Sequence, residues 1–267
     1  MKRRSLCGRR IKDSTFSYIF NEEKYVVDLY KALTGIMLDP SSITSVRLAD
    51  TLKESPLYND VSFITKNHDL IVLIEHQSTP NPNIPLRLVE YCVHLLSKLI
   101  KKTKQNKFGS KRIQIPKLEF FVAYNGVERF QPETMLDLGA LKIYFHMLDI
   151  RYDQLIEKSL GNALAGYSYF VKCIEENKET MSDHEAIDVA MKQTSTKGYL
   201  VEILNREECR NMLIELFSRE AELEDIGMQK GWKNCALATA QAMLRKNLPL
   251  DMITEITGLT QEQIMTE

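Results

Sequence analysis

The chain has 267 residues, 44% hydrophobic and 27% charged, and its 35 Lys and Arg nearly balance 36 Asp and Glu, for a formal net charge of −1. That length suffices for one large domain with a real core plus a smaller appendage, and so neutral a balance singles out no polyanionic partner. Five scattered cysteines with no C-x-x-C spacing argue against a disulfide framework or a zinc cluster. No apolar run approaches the ~18 residues of a membrane span and the N-terminus lacks an apolar signal core, so a soluble, cytoplasmic protein with no membrane partner is expected.

Charge is nevertheless uneven along the chain. Lys2, Arg3, Arg4, Arg9, Arg10 and Lys12 precede the first acidic residue, Asp13. A second acid-free tract carries Lys101, Lys102, Lys104, Lys107, Lys111, Arg112 and Lys117, while acidic residues collect around Glu215 to Asp225. A basic tract is most often a solvated loop, but local positive charge is also what a phosphate backbone requires.

In chain order, residues 15–33 have helical apolar spacing with a break near Asn21, and Gly35 is placed to end the helix. Residues 52–58, with Pro56, form a connector. Val61–Thr65 and Leu70–Ile74 read as two β-strands separated by Lys66-Asn67-His68-Asp69, hence a hairpin in which His68 is a turn residue. If the turn is centred on Asn67 and His68, residue 64 faces 71, 62 faces 73 and 60 faces 75. Asp60 and Glu75 then oppose each other at the open end, with Gln77 on the same face and the His76 side chain on the other. Opposed like charges are destabilising, so the pair calls for a cation, and hard divalent ions such as magnesium take oxygen ligands of this kind. A one-residue slip would separate the carboxylates onto opposite faces.

A turn-rich segment, Ser78 to Pro85, leads into a helix with an apolar face of Leu88, Val89, Cys92, Leu95, Leu96 and Leu99. Arg87, Tyr91, His94 and Lys98 share another stripe. Arg87 and Tyr91, nearest the hairpin, have the better claim to the site, while His94 and Lys98 fit an ordinary solvent face. Leu118–Tyr124 reads as a buried strand ended by Asn125-Gly126, and Leu141–Leu148 as a further strand, giving a mixed sheet flanked by helices. From Tyr152 the pattern is helical, at 152–176, 183–193, 206–224, 232–246 and 249–257. Capping-box spacing occurs at Ser182–Glu185 and Thr260–Gln263. Gly258-Leu259 could be the turn of a helix-turn-helix, but a helical packing or oligomerisation tail is the favoured reading. Trp232 reads as a packing residue. The division expected is a core over residues 1–150 and a helical region over 151–267, part of which packs on the core.

Several of these residues occur in a recognisable order: Lys12-Asp13-x-x-Phe16, Asn59-Asp60-Val61, Glu75-His76-Gln77-Ser78-Thr79-x-Asn81-x-Asn83-x-Pro85-Leu86-Arg87-x-x-x-Tyr91, and Tyr124-Asn125-Gly126. The order resembles the Rpn family of recombination-promoting nucleases, also labelled transposases, in the PD-(D/E)XK nuclease superfamily. The resemblance implies a restriction-endonuclease-like mixed sheet flanked by helices, with an all-helical C-terminal extension. It implies a magnesium-dependent DNA endonuclease linked to recombination or mobile elements, using one or two ions, with manganese as a substitute. Asp60 and Glu75 match the acidic positions and, with the His76 backbone carbonyl, would hold the metal. Gln77 stands where the superfamily has lysine, and so contributes an amide without a formal charge. Arg87 and Tyr91 match a motif on the following helix. Lys101, Lys102 and Lys104 would hold DNA, and Asp13 would lend a further carboxylate. The rival expectation is a catalytically silent DNA-binding accessory protein that keeps the fold, and a homo-oligomer through the C-terminal helices is also expected.

Overall fold

Strand β3 (Leu70–Gln77) is the structural axis, and it pairs antiparallel with β2 (Val61–Thr65) through Val61–Ile74, Ser62–Leu73, Phe63–Val72 and Ile64–Ile71. This is the register expected from a turn centred on residues 67 and 68. The computed structural model describes residues 9–45, 60–67, 69–126, 128, 134–156 and 162–265. The connector at 52–58, Asn59 and His68 therefore lie outside the described residues.

Two helices, α1 (Arg9–Ile19) and α2 (Glu23–Thr34), precede the short strand β1 (Ile43–Ser45). The expected break near Asn21 separates the helices. Gly35 closes α2 at φ 77°, its N–H donating to the Lys31 carbonyl at 2.7 Å. After β3, α3 (Ile84–Lys102) crosses over to β4 (Lys117–Tyr124), which lies parallel to β3. Next come β5 (Met135–Asp137), β6 (Lys142–Tyr144) and β7 (His146–Asp149). Among the described residues, five strands form one mixed sheet in the order β1-β2-β3-β4-β7, and β5 pairs with β6 as a separate ribbon.

The single strand expected over 141–148 is thus two strands in different sheets. Phe145 causes the break: its ring is 3% exposed within the core under α3, and its N–H donates to the Thr134 carbonyl at 3.0 Å.

Both faces of the sheet are covered. Ile71 and Leu73 meet Ile84, Leu88, Tyr91 and Leu95 of α3. On the opposite face Tyr30 of α2 sets its ring edge against Phe63, with centroids 5.5 Å apart, and Phe16 of α1 lies against β3. A strand buried on both faces has to be apolar throughout, which is why Leu70 to Ile74 shows no alternation. The core stripe of α3 runs through Tyr91, 1% exposed, so this tyrosine belongs to the packed face and not to the solvent stripe.

The helical part consists of α4 (Tyr152–Ile156), α5 (Asn162–Asn177), α6 (Asp183–Thr196), α7 (Val201–Leu204), α8 (Glu207–Arg245), α9 (Leu250–Thr257) and α10 (Gln261–Met265). The segments expected at 206–224 and 232–246 are one continuous helix of 39 residues. The Ser182–Glu185 capping box forms, and so does that of Thr260 with Gln263. The chain divides into two compact units at Ile214/Glu215. The helices up to residue 214 belong with the sheet: the Ala163 N–H donates to Asp28 at 2.7 Å, and Arg206 pairs with Glu22.

In the second unit, Ala236 and Ala240 of α8 form a small core with Ile253, Leu259 and Ile264. Gly258, at φ 66°, makes the turn between α9 and α10. The α10 helix carries Glu262 and no cation, which suits packing better than entry into a DNA groove. Trp232 is 59% exposed, and its ring lies beside this turn, 3.7 Å from where a Cβ on Gly258 would stand.

Two substitutions separate these contributions. Phe63→Ala, at a side chain with 0% exposure, should lower the unfolding free energy by about 3–5 kcal/mol in urea titrations. Ser182→Ala, which removes only the cap of α6, should cost about 1 kcal/mol.

Candidate functional site

The described β2–β3 ladder ends at Val61–Ile74, and Asp60 and Glu75 are the next residues along it. Glu75 is 2% exposed, on the α3 side of the sheet, and Asp60 is half-buried. Asp60 Oδ2 accepts the His76 backbone N–H at 2.6 Å. In an extended strand a residue's N–H and C=O point to the same edge, so the His76 carbonyl lies on the edge where Asp60 sits. Two carboxylates and one backbone oxygen therefore occupy one end of the hairpin.

Arg87 completes the cluster from the first turn of α3. The loop that places it is ordered by its asparagines: Asn81 Oδ1 accepts the Asn83 N–H at 2.9 Å, and the Asn83 carbonyl accepts the Arg87 N–H at 3.2 Å. Pro85 sits in the first turn, where its missing N–H costs nothing. Arg87 Nη2 pairs with Glu75 Oε1 and also donates to the Tyr91 hydroxyl at 3.0 Å. Burial opposes the Arg87 charge, but Glu75, Tyr91 and Asp60 outweigh it and hold its pKa above the ordinary value. Burial, reinforced by Glu75, pushes the Tyr91 phenol up to about 12, so it serves as a neutral hydrogen-bonding group.

Gln77 shares the face of Glu75 and is also 2% exposed. Its amide nitrogen donates to the Thr79 carbonyl and, at 3.2 Å, to the Thr79 hydroxyl. The Tyr124-Asn125-Gly126 turn closes this end of the sheet, with the Asn125 N–H donating to the Gln77 carbonyl at 2.8 Å. Glycine is required at 126: a Cβ there would lie 2.1 Å from the Tyr124 hydroxyl oxygen and 2.7 Å from the Ser78 carbonyl oxygen.

Not every expected residue joins the cluster. Asp13 turns to His76, its Oδ1 2.9 Å from the imidazole Nδ1. Among the described residues no group of three or more His, Cys, Asp or Glu is placed to hold a metal. Lys101, Lys102 and Lys104 are exposed, at or just past the far end of α3. Lys101 lies ~21 Å along the helix axis from Arg87 at the α-helical rise per residue. The His94 ring bonds the Glu90 carbonyl of its own helix at 2.9 Å. A surface cavity of 640 Å³, lined in part by Tyr30, Lys66, Asp69, Lys117 and Glu119, opens at the opposite end of β3 and β4.

Sequence reasoning did not single out Tyr167 of α5, whose hydroxyl lies 2.9 Å from His76 Nε2. Nothing local marks that tyrosine; only the parity of His76, which points it away from Glu75, signals that a partner waits on that side. Burial holds the His76 pKa below its ordinary value, against the opposing pull of Asp13. No helix of the described residues is long and apolar enough to cross a membrane. No family model matches the chain, and no curated protein or solved structure does either.

The Arg87–Glu75 pair can be weighed directly. Arg87→Ala strands a carboxylate that is 3% exposed, and should cost about 2–3 kcal/mol, less than a fully buried pair because Arg87 itself is 30% exposed. Adding Glu75→Gln should recover part of that loss, as read from a double-mutant cycle in denaturant.

Proposed function

We propose that this protein is a divalent-metal-dependent DNA nuclease of the restriction-endonuclease-like class, related to the Rpn nucleases that its motif order resembles. The observation that carries the reading is the meeting of Asp60, Glu75 and the His76 backbone at one hairpin end, with Arg87 against Glu75. Two carboxylates and a carbonyl are a hard oxygen set. They suit magnesium, with manganese as a substitute, because this ion is commonly held by one or two carboxylates while water and substrate phosphate complete its shell.

When bound, such an ion lowers the pKa of a water and offsets charge on the phosphate. The chain's own groups supply the rest. Asp60, Glu75 and the His76 carbonyl would hold the ion. Gln77 offers an amide that orients water or a phosphate oxygen without adding charge. Arg87, always protonated and able to bind two oxygens at once, pairs with Glu75 and would be the cation available to a substrate phosphate. Tyr91 steadies the guanidinium. The lysines at the far end of α3 would meet a duplex flank and not the scissile group. A link to recombination or mobile elements rests on the resemblance.

One observation favours the silent reading, an accessory DNA-binding protein: Gln77 replaces a cation and its amide is engaged by Thr79, while Arg87 already neutralises Glu75. A plasmid-nicking assay with magnesium separates the two. Wild type should nick, and Asp60→Ala and Glu75→Ala should each lose about 100-fold or more in rate. Salt-sensitive DNA binding without nicking would select the accessory role, and equal nicking by all three proteins would expose a contaminant.

A further inference from the structure

His76 stands between Glu75 and Gln77 but faces the other side of β3, where its side chain is 0% exposed. Nδ1 lies 2.9 Å from Asp13 Oδ1 of α1, and Nε2 lies 2.9 Å from the Tyr167 hydroxyl of α5. The Phe16 ring lies against the imidazole with centroids 4.8 Å apart, and Tyr167 meets it edge-on at 5.6 Å. The Tyr167 hydroxyl also reaches the Lys12 carbonyl at 3.1 Å. Lys12 in turn pairs with Glu175 of α5 and reaches the Asn125 carbonyl at 3.4 Å. The N-terminal Lys12-Asp13-x-x-Phe16 motif and the strand-end histidine are thus parts of one assembly, drawn from three distant stretches of chain.

A fully buried imidazole with both nitrogens bonded is an ordinary way to satisfy a core histidine. What distinguishes His76 is its backbone. The described ladder with β2 ends at Val61–Ile74, so on that edge residue 76 finds the Asp60 carboxylate where a strand partner would continue. On the other edge the parallel ladder with β4 runs on through His76–Ala123 to Gln77–Tyr124, and the Asn125 N–H just past β4 donates to the Gln77 carbonyl. Beneath the Asp60 edge of β3 lies the ring that α1 and α5 grip.

We propose that His76, clamped by Asp13 and Tyr167, is a positioning residue for the carboxylate site: the grip on its ring sets the backbone N–H that orients Asp60 and the carbonyl beside it. Asp13 then acts on the site through the imidazole and not as a ligand. The consequence for metal rests on the nuclease reading above; the consequence for the strand backbone does not. Groups that orient metal ligands from behind commonly contribute 10–100-fold in affinity.

The test uses the full chain without nucleic acid. It compares wild type with Asp13→Ala, Tyr167→Phe and the conservative Asp13→Asn, which keeps an acceptor for Nδ1. Manganese binding is followed by electron paramagnetic resonance, and amide exchange at residues 74–78 by NMR. Asp13→Ala should weaken manganese binding about tenfold and speed exchange at His76 while the β3–β4 ladder upstream stays protected; Tyr167→Phe should do so in smaller measure, and Asp13→Asn should restore most of the wild-type behaviour. Unchanged exchange at His76 in Asp13→Ala, faster exchange spread along all of β3, or manganese affinity within twofold of wild type would overturn the proposal. If wild type binds no manganese, the nuclease reading falls, and the exchange data alone decide whether His76 is a clamp.

Discussion

Strand β3 is buried on both faces, and the period-two alternation of its side chains decides which layer each residue serves. Glu75 and Gln77 go to the α3 side and His76 to the side of α1 and α5. A shift of one residue would exchange these assignments and would drive Glu75 into the aromatic layer of Phe16 and Tyr167. The register is held by apolar pairs such as Phe63–Val72 and by the helices on either face. The polar end of the strand depends on them, since a buried carboxylate has no packing preference of its own to enforce.

That carboxylate also sets the electrostatics of the site. Removing Glu75 from water is costly unless a cation is near, and Arg87 supplies one from the adjacent helix turn. The same pairing explains the placement of Tyr91, whose hydroxyl accepts from the guanidinium while its ring fills the core beneath α3. Charge compensation and packing are thus met by residues one helical turn apart. Across the strand, His76 meets the same demand differently, with a carboxylate and a phenol in place of solvent.

The compact unit that contains the sheet extends through α7 into the start of α8. Its later helices contribute directly to the environment of the site, since α5 carries both Tyr167 and the Glu175 that pairs with Lys12. The second unit has a small apolar core of its own.

Much of this was legible from residue order. The hairpin register followed from the Asn67-centred turn, the α2 cap from Gly35, the capping boxes from their spacing, and the shared face of Glu75 and Gln77 from parity alone. Such features are local, governed by backbone geometry within a few residues or across one tight turn. What lay beyond local rules was decided by tertiary contacts. Asp13 turned to a histidine 63 positions away, Tyr91 proved to be core, Phe145 split a strand by inserting its ring, and the helices up to residue 214 joined the compact unit of the sheet. The physical reason is common to all four: each depends on which distant surface a side chain meets, and burial there outweighs any preference carried by its neighbours in sequence.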